Sequence, residues 1–271
     1  MALTGFQLAV CRLIARHRVA AEESYVAGGA ALNTLAEAPR VSRDIDLFHD
    51  TAEAVASSFE GDRALLIEAG YAVSTTRDRQ TFVEAVVARG SESVVLQWTS
   101  DSAYRFFPLI EHPDFGLALH PFDLATNKVL ALVGRLEPRD WVDVITCHDR
   151  IQPLGYLAWA ACGKDPGFSP SGILAHAGRS SRYTDVELAS LEFEGAPPDA
   201  ADLSRRWHAM LDEARDLVRL LPADHAGNCV LAPDLTLFRS GRAALESALK
   251  GGAIRFHAGS IRGAWPRIRG A

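Results

Sequence analysis

The sequence has only four cysteines, Cys11, Cys147, Cys162 and Cys229, and no two of them form a C-x-x-C pair. Thiols scattered in this way indicate neither a disulfide framework nor a cysteine-based zinc site. They fit reduced, mostly buried side chains in a cytoplasmic protein. Long apolar runs are also missing. Phe6, Val10, Leu13 and Ile14 recur at helical spacing, but Arg12, Arg16 and Arg18 interrupt them. The segment therefore lacks the apolar core of a secretory signal and the ~20 apolar residues of a membrane span. An amphipathic helix over 4–20 is expected instead, with no membrane partner. Basic charge is scarce too. The formal net charge is −6, which argues against a protein coated in nucleic-acid-binding basic surface.

What is present describes an ordinary globular chain. It has 271 residues, 48% of them apolar, and suits one large or two modest domains. Charge is unevenly spread. From Lys250 onward there are five basic residues (Lys250, Arg255, Arg262, Arg267 and Arg269) and no acid, so this segment carries +5 and the remainder −11. His257 and Trp265 lie among those arginines. A mixture of cations and aromatics suits an RNA backbone and its bases, and it equally suits a solvated tail that pairs with the protein's own acidic surface.

The order of patterns predicts an α/β half followed by a mostly helical half. A short strand over 24–27 enters Gly28-Gly29, a helix over 29–37 is closed by Pro39, and a strand covers 45–48. A helix over 51–69, broken or kinked at Gly61, precedes strand-like runs at 71–75, 81–88 and 93–98. The last two are joined as a hairpin through Arg89-Gly90-Ser91, and 115–120 adds a further strand. From Pro121 the pattern is helical almost to the end, with 193–198 as an internal loop. A boundary near 151–154 gives expected domains of 1–150 and 151–271.

Two stretches carry chemistry. The first is Gly28-Gly29 followed by Arg40-Val41-Ser42-Arg43-Asp44-Ile45-Asp46-Leu47-Phe48. A glycine turn opening a helix offers free backbone N–H groups and a favourable dipole to a phosphate. On a strand, Asp44 and Asp46 project to one face while Ile45 and Leu47 face the core. Two carboxylates beside a phosphate cradle are what a Mg²⁺-nucleotide site needs. The second stretch holds Lys128 and Arg135 in a Leu/Ala-rich helix, followed by Arg139-Asp140-Trp141-Val142-Asp143. A lysine in an apolar helix is costly unless its ammonium has a partner, either a triphosphate or a structural carboxylate. Arg139 and Asp143, four apart, can also form an ordinary helix salt bridge.

Taken together, these motifs resemble the AbiEii/MenT-like nucleotidyltransferase family. Its members are the toxin halves of bacterial type IV-like toxin–antitoxin pairs, built on a DNA-polymerase-β-like nucleotidyltransferase core. Gly163-Lys164-Asp165-Pro166-Gly167-Phe168-Ser169-Pro170 also resembles the helical region of family members. The resemblance spans about residues 24–170, and the rest matches only in being helical. It implies a mixed-sheet core and assigns roles position by position. Asp44 and Asp46 would ligate Mg²⁺, while Gly28 and Gly29 cradle the triphosphate. Lys128 would neutralise phosphate charge, and Asp143 would activate the acceptor or fix Lys128. Arg40, Arg43, Ser42 and Arg135 are further nucleotide contacts, and a phosphoryl group on Ser42 would repel the nucleotide.

Two departures bear on this expectation. Many nucleotidyltransferases have Gly-Ser in the first turn, where this chain has Gly29. The third carboxylate of the wider superfamily falls at Gln97, so Glu84 or Asp143 would have to supply it, or a single metal is held. The implied reaction is transfer of a nucleotidyl group from an NTP to an acceptor hydroxyl, the 3′ end of a tRNA being the family's suggestion, with a cognate antitoxin as partner. A small-molecule or protein acceptor is a rival expectation, and so is a nucleotide-binding interaction protein whose site has decayed.

Overall fold

The computed structural model describes residues 3–22, 24–179 and 183–266. In chain order the first elements are α1 (Gly5–Ala21), β1 (Ser24–Ala27), α2 (Gly28–Leu35), β2 (Arg40–Val41), β3 (Asp44–His49), α3 (Ala52–Glu68), β4 (Ala72–Arg79), β5 (Phe82–Arg89), β6 (Glu92–Ser100), β7 (Tyr104–Arg105), β8 (Ile110–His112) and β9 (Gly116–Ala118). They are followed by α4 (Pro121–Arg135), α5 (Pro138–Arg150), α6 (Leu154–Ala161), α7 (Pro170–Ala177), α8 (Asp185–Ala189), β10 (Glu192–Phe193), α9 (Ala200–Leu220), β11 (Cys229–Leu231), α10 (Arg242–Lys250), β12 (Arg255–His257) and β13 (Ser260–Ile261).

Internal contacts divide the chain into two compact units. One is Met1–Ala103 with Pro108–His120, and the other is Tyr104–Phe107 with Pro121–Ala271. The sequence placed a boundary at 150/151. By contacts, α4 and α5 belong to the second unit, because both pack against α6.

The first unit is an α/β layer built on a seven-stranded mixed sheet of order β4-β5-β6-β3-β1-β9-β8. β3 lies between β6, to which it is parallel, and β1, to which it is antiparallel. Alternation decides the faces: Ile45, Leu47 and His49 are buried, as are Val83, Ala85, Val87, Leu96 and Trp98 on the neighbouring strands. α1 and α3 pack against β6. α1 begins with a capping box between Thr4 and Gln7, and α3 begins with Thr51 accepting from the Ala54 amide. A buried polar knot joins these elements. Asp62 of α3 accepts from Arg18 Nη2 at 3.2 Å and from Trp98 Nε1 at 2.9 Å, and His17 Nδ1 lies 3.3 Å away.

Gly61 does not break α3, which runs unbroken past it. A Cβ at that position would stand 2.5 Å from His17 Cε1, so the glycine serves the close approach of α1. The edge hairpin is longer than its hydrophobic pattern suggested, because β4 is polar and exposed along nearly its whole length. Its pairing rests on backbone bonds that no apolar alternation announces.

The second unit is mostly helical but contains strands that the sequence did not suggest. β11 pairs with β12, and β13 with β7. Its core joins Tyr156 and Trp159 of α6 to Leu217 of α9, Val230 of β11 and Leu245 of α10. Among the described residues no helix is long and apolar enough to cross a membrane.

His49 supplies a test of the first unit's core. It is fully buried, with Nδ1 3.2 Å from the Thr99 carbonyl oxygen, and burial lowers its pKa to about 4. The unfolded imidazole takes a proton near pH 6.5, so between 6.5 and 4 the unfolded chain binds more protons than the folded one. Stability is full above pH 6.5 and declines as pH falls towards 4. Urea unfolding across that window is expected to show a decline that is shallower in a His49→Gln variant.

Candidate functional site

The sequence-predicted residues fall into two groups, one in each unit. In the first unit, β1 ends at Ala27, which pairs with Asp46, and the next residue opens α2. Gly28 has φ +64°, and a Cβ placed on it would stand 1.6 Å from Asp46 Oδ2. Only glycine allows the turn and the carboxylate to approach this closely. The first-turn amides of α2 are thereby set beside the carboxylate pair. Asp44 and Asp46 are both partly exposed, on the face of β3 opposite Ile45 and Leu47.

Gly29 shows why this turn has no serine. A Cβ there would meet Arg40 Nη2 at 2.7 Å and Ser42 Oγ at 2.9 Å. The buried Ser42 hydroxyl already stands at the place a residue-29 side chain would enter. It donates to Asp44 Oδ1 at 3.1 Å, and the Ser42 carbonyl accepts from Gln7 Nε2 at 2.9 Å. α1 therefore fixes the loop that carries the motif. Arg40 is buried and Arg43 exposed.

The donor set fits Mg²⁺. Carboxylate oxygens are hard ligands, and this ion is commonly held by one or two of them with substrate phosphates and water completing its octahedron. Among the described residues no group of three or more His, Cys, Asp or Glu side chains could hold a metal. Gln97 of β6 is the register partner of Asp46, and Glu84 of β5 is the register partner of Gln97. Both Glu84 oxygens accept hydrogen bonds, Oε1 from Thr76 Oγ1 at 2.8 Å and Oε2 from Gln97 Nε2 at 3.0 Å.

In the second unit, Lys128 Nζ lies 2.9 Å from Asp143 Oδ2 and 3.3 Å from Asp140 Oδ1. Arg135 forks onto Asp140 through Nε at 2.5 Å and Nη2 at 2.8 Å. Both carboxylates are buried. The structure thus brings Lys128, Arg135, Asp140 and Asp143 together as two cations and two anions. Asp143 holds Lys128, and Arg139 pairs with Glu137 rather than with Asp143.

A second knot in this unit lies outside the predicted site residues. Asp123, fully buried, accepts from the backbone amides of Phe106 at 2.8 Å and Phe107 at 3.0 Å, and it meets Lys164 Nζ at 2.8 Å. Lys164 also donates to Asn127 Oδ1 at 2.7 Å. The signal was visible in the run Gly163–Pro170, whose lysine has a structural partner.

The basic segment is only partly a tail. Lys250 bonds Glu246, Phe256 stacks on His225 with ring centroids 4.1 Å apart, and His257 Nε2 lies 2.8 Å from the Phe106 carbonyl oxygen. His257 is therefore a packing residue here. Trp265 is exposed, while Arg267 and Arg269 lie outside the described residues.

No protein-family model matches the sequence. No curated protein matches it either. Solved structures do. JHP933 from Helicobacter pylori is similar over 78% of this chain and 91% of that chain, at 13% identity and a TM-score of 0.51. The likeness is one of fold. MenT4, nucleotidyltransferase toxin Rv2826c from Mycobacterium tuberculosis H37Rv, is similar over 82% of this chain and 91% of that chain, at 14% identity and a TM-score of 0.44. The mixed α/β core with a helical second half agrees with the architecture expected from the sequence.

Three substitutions check this geometry. Gly28→Ala is expected to destabilise by more than the about 1–2 kcal/mol of a left-handed alanine, because it also displaces the Asp46 carboxylate. Gly90→Ala, at the same φ of +64° but with nothing within 4 Å, is expected to show only the backbone cost. Urea unfolding of the two variants side by side isolates the contact with Asp46. Asp123→Ala is expected to lower the unfolding free energy by about 3–5 kcal/mol, since it strands the half-buried Lys164 ammonium and two buried amides.

Proposed function

We propose that this chain is a nucleotidyltransferase that moves a nucleoside monophosphate from an NTP to an acceptor hydroxyl. The observation that carries the proposal is the meeting of Gly28 and Asp46. It sets the N-terminus of α2 and two carboxylates of β3 at one place. A helix N-terminus takes phosphate oxygens, and a carboxylate pair takes the divalent ion that accompanies them.

In this reading Asp44 and Asp46 hold Mg²⁺, which supplies charge neutralisation for the triphosphate. The α2 amides cradle phosphate oxygens. The Ser42 hydroxyl, whose single proton goes to Asp44, orients that carboxylate, and Arg40 and Arg43 supply cationic contacts. The acceptor oxygen bonds to the α-phosphorus, the bond to the β-phosphate oxygen breaks, pyrophosphate leaves and the acceptor proton passes to solvent. Alignment and charge neutralisation are the main contributions a protein makes to such a transfer. Family resemblance, not a distance, supports a phosphate role for Lys128. Its two aspartates hold it in place, which favours the fixing role over the activating one for Asp143.

The finer expectations rest on the same resemblance. They are Mg²⁺ dependence, the 3′ end of a tRNA as acceptor, a cognate antitoxin as partner and a cytoplasmic location. If RNA is the acceptor, binding weakens steeply with salt.

The test is incubation of purified protein with each α-phosphate-labelled NTP, Mg²⁺ and total tRNA, beside an Asp46→Ala variant. Label on RNA that falls by about 10²–10³-fold in the variant, the usual loss for one preorganised electrostatic group, is the expected result. Release of pyrophosphate without labelled RNA would move the acceptor to a small molecule or a protein. Neither label nor pyrophosphate with any NTP would overturn the proposal.

A further inference from the structure

The row that crosses the sheet through Asp46 contains one neutral member. β3, β6 and β5 are consecutive strands, and register aligns Asp46, Gln97 and Glu84 across them. All three lie on the face opposite the buried Leu47, Leu96, Ala85 and their neighbours. Gln97 stands between two acids, and the two sides are not equivalent. Its Nε2 donates to Glu84 Oε2 at 3.0 Å. A carboxylate only accepts, so Glu84 selects the N–H end of the amide and leaves the carbonyl oxygen on the other arm. Glu84 is itself fixed. Its second oxygen accepts from Thr76 at 2.8 Å, and Arg77 Nε lies 3.7 Å away.

We propose that Glu84 is a positioning residue that holds Gln97 as a neutral oxygen ligand beside Asp46, giving a site of two carboxylates and one amide carbonyl that takes a single divalent ion. The inference rests on the nucleotidyltransferase reading above and adds the composition and stoichiometry of its metal site. Three physical points support it. Amide carbonyls are accepted ligands for hard cations. Outer partners that orient a ligand commonly change metal affinity by about 10–100-fold when removed. A third carboxylate at position 97 would give the face a charge suited to two ions, whereas an amide there leaves Asp44 and Asp46 as the carboxylates on one side of it, with Glu84 on the far side. Glu84 does not supply the missing carboxylate directly, because it stands two strands from Asp46 with Gln97 between them.

The experiment is Mn²⁺ titration of the purified full chain without nucleotide, followed by electron paramagnetic resonance, with circular dichroism confirming that each variant is folded. One Mn²⁺ is expected to bind the unaltered protein. Gln97→Ala and Glu84→Gln are each expected to weaken it by about 10-fold or more, the second because a glutamine at 84 no longer dictates which way the amide turns. The exchange Glu84→Gln with Gln97→Glu keeps a hydrogen bond between the two positions and moves the negative charge next to Asp46. It is expected to bind Mn²⁺ more tightly than the unaltered protein and to take a second ion. A purely structural pair would leave Mn²⁺ affinity unmoved by Gln97→Ala and by Glu84→Gln. Asp46→Ala separates the two levels of failure. If it abolishes binding while Gln97→Ala, Glu84→Gln and the exchange all bind like the unaltered protein, the inference is overturned and the reading it rests on stands. If Asp46→Ala binds Mn²⁺ unchanged, the reading itself falls and the inference with it.

Discussion

The first unit depends on one constraint: β3 is an interior strand and can bury only every second side chain. Ile45, Leu47 and His49 fill the buried positions, so Asp44 and Asp46 are forced together on the opposite face. Like charges at i and i+2 repel, and nothing in the packing of the core requires them. The arrangement is tolerated because both are partly exposed and Asp44 accepts the Ser42 hydroxyl. Gly28 belongs to the same constraint. Its missing side chain is what allows Asp46 to lie against the start of α2. A carboxylate pair at a helix N-terminus is an arrangement that gains from a cation and a polyanion together.

The second unit handles charge differently. Its carboxylates are buried and matched, Asp123 with the half-buried Lys164, and Asp140 and Asp143 with the buried Lys128 and the exposed Arg135. Such sets add little net stability over apolar packing, but losing one member leaves an uncompensated buried charge. They therefore fix arrangement: Asp123 ties the 106–107 backbone to α4, and Asp140 orients Lys128 and Arg135 from a single carboxylate.

The sequence made the first group legible because strand alternation and glycine chemistry are local. Asp44, Asp46 and Gly28 follow from period and turn type, and register sets Gln97 beside Asp46. The remainder depends on long-range geometry. Gly61 looked like a breaker because its role is set by His17, far away along the chain. Gly29 looked like a lost serine because the crowding by Arg40 and Ser42 exists only after folding. The partners of Lys164 were hidden for the same reason, as were β11, β12 and β13, short strands whose pairing carries no hydropathy pattern.

The measurement closest to the central claim is calorimetric titration of NTP, with and without Mg²⁺, into the unaltered protein and into an Asp44→Asn, Asp46→Asn double variant. The carboxylate pair at the start of α2 predicts that Mg²⁺ strengthens nucleotide binding to the unaltered protein and no longer does so in the variant, while both remain folded. An equal gain from Mg²⁺ in both proteins would contradict the account, because the ion would then be held somewhere other than on β3.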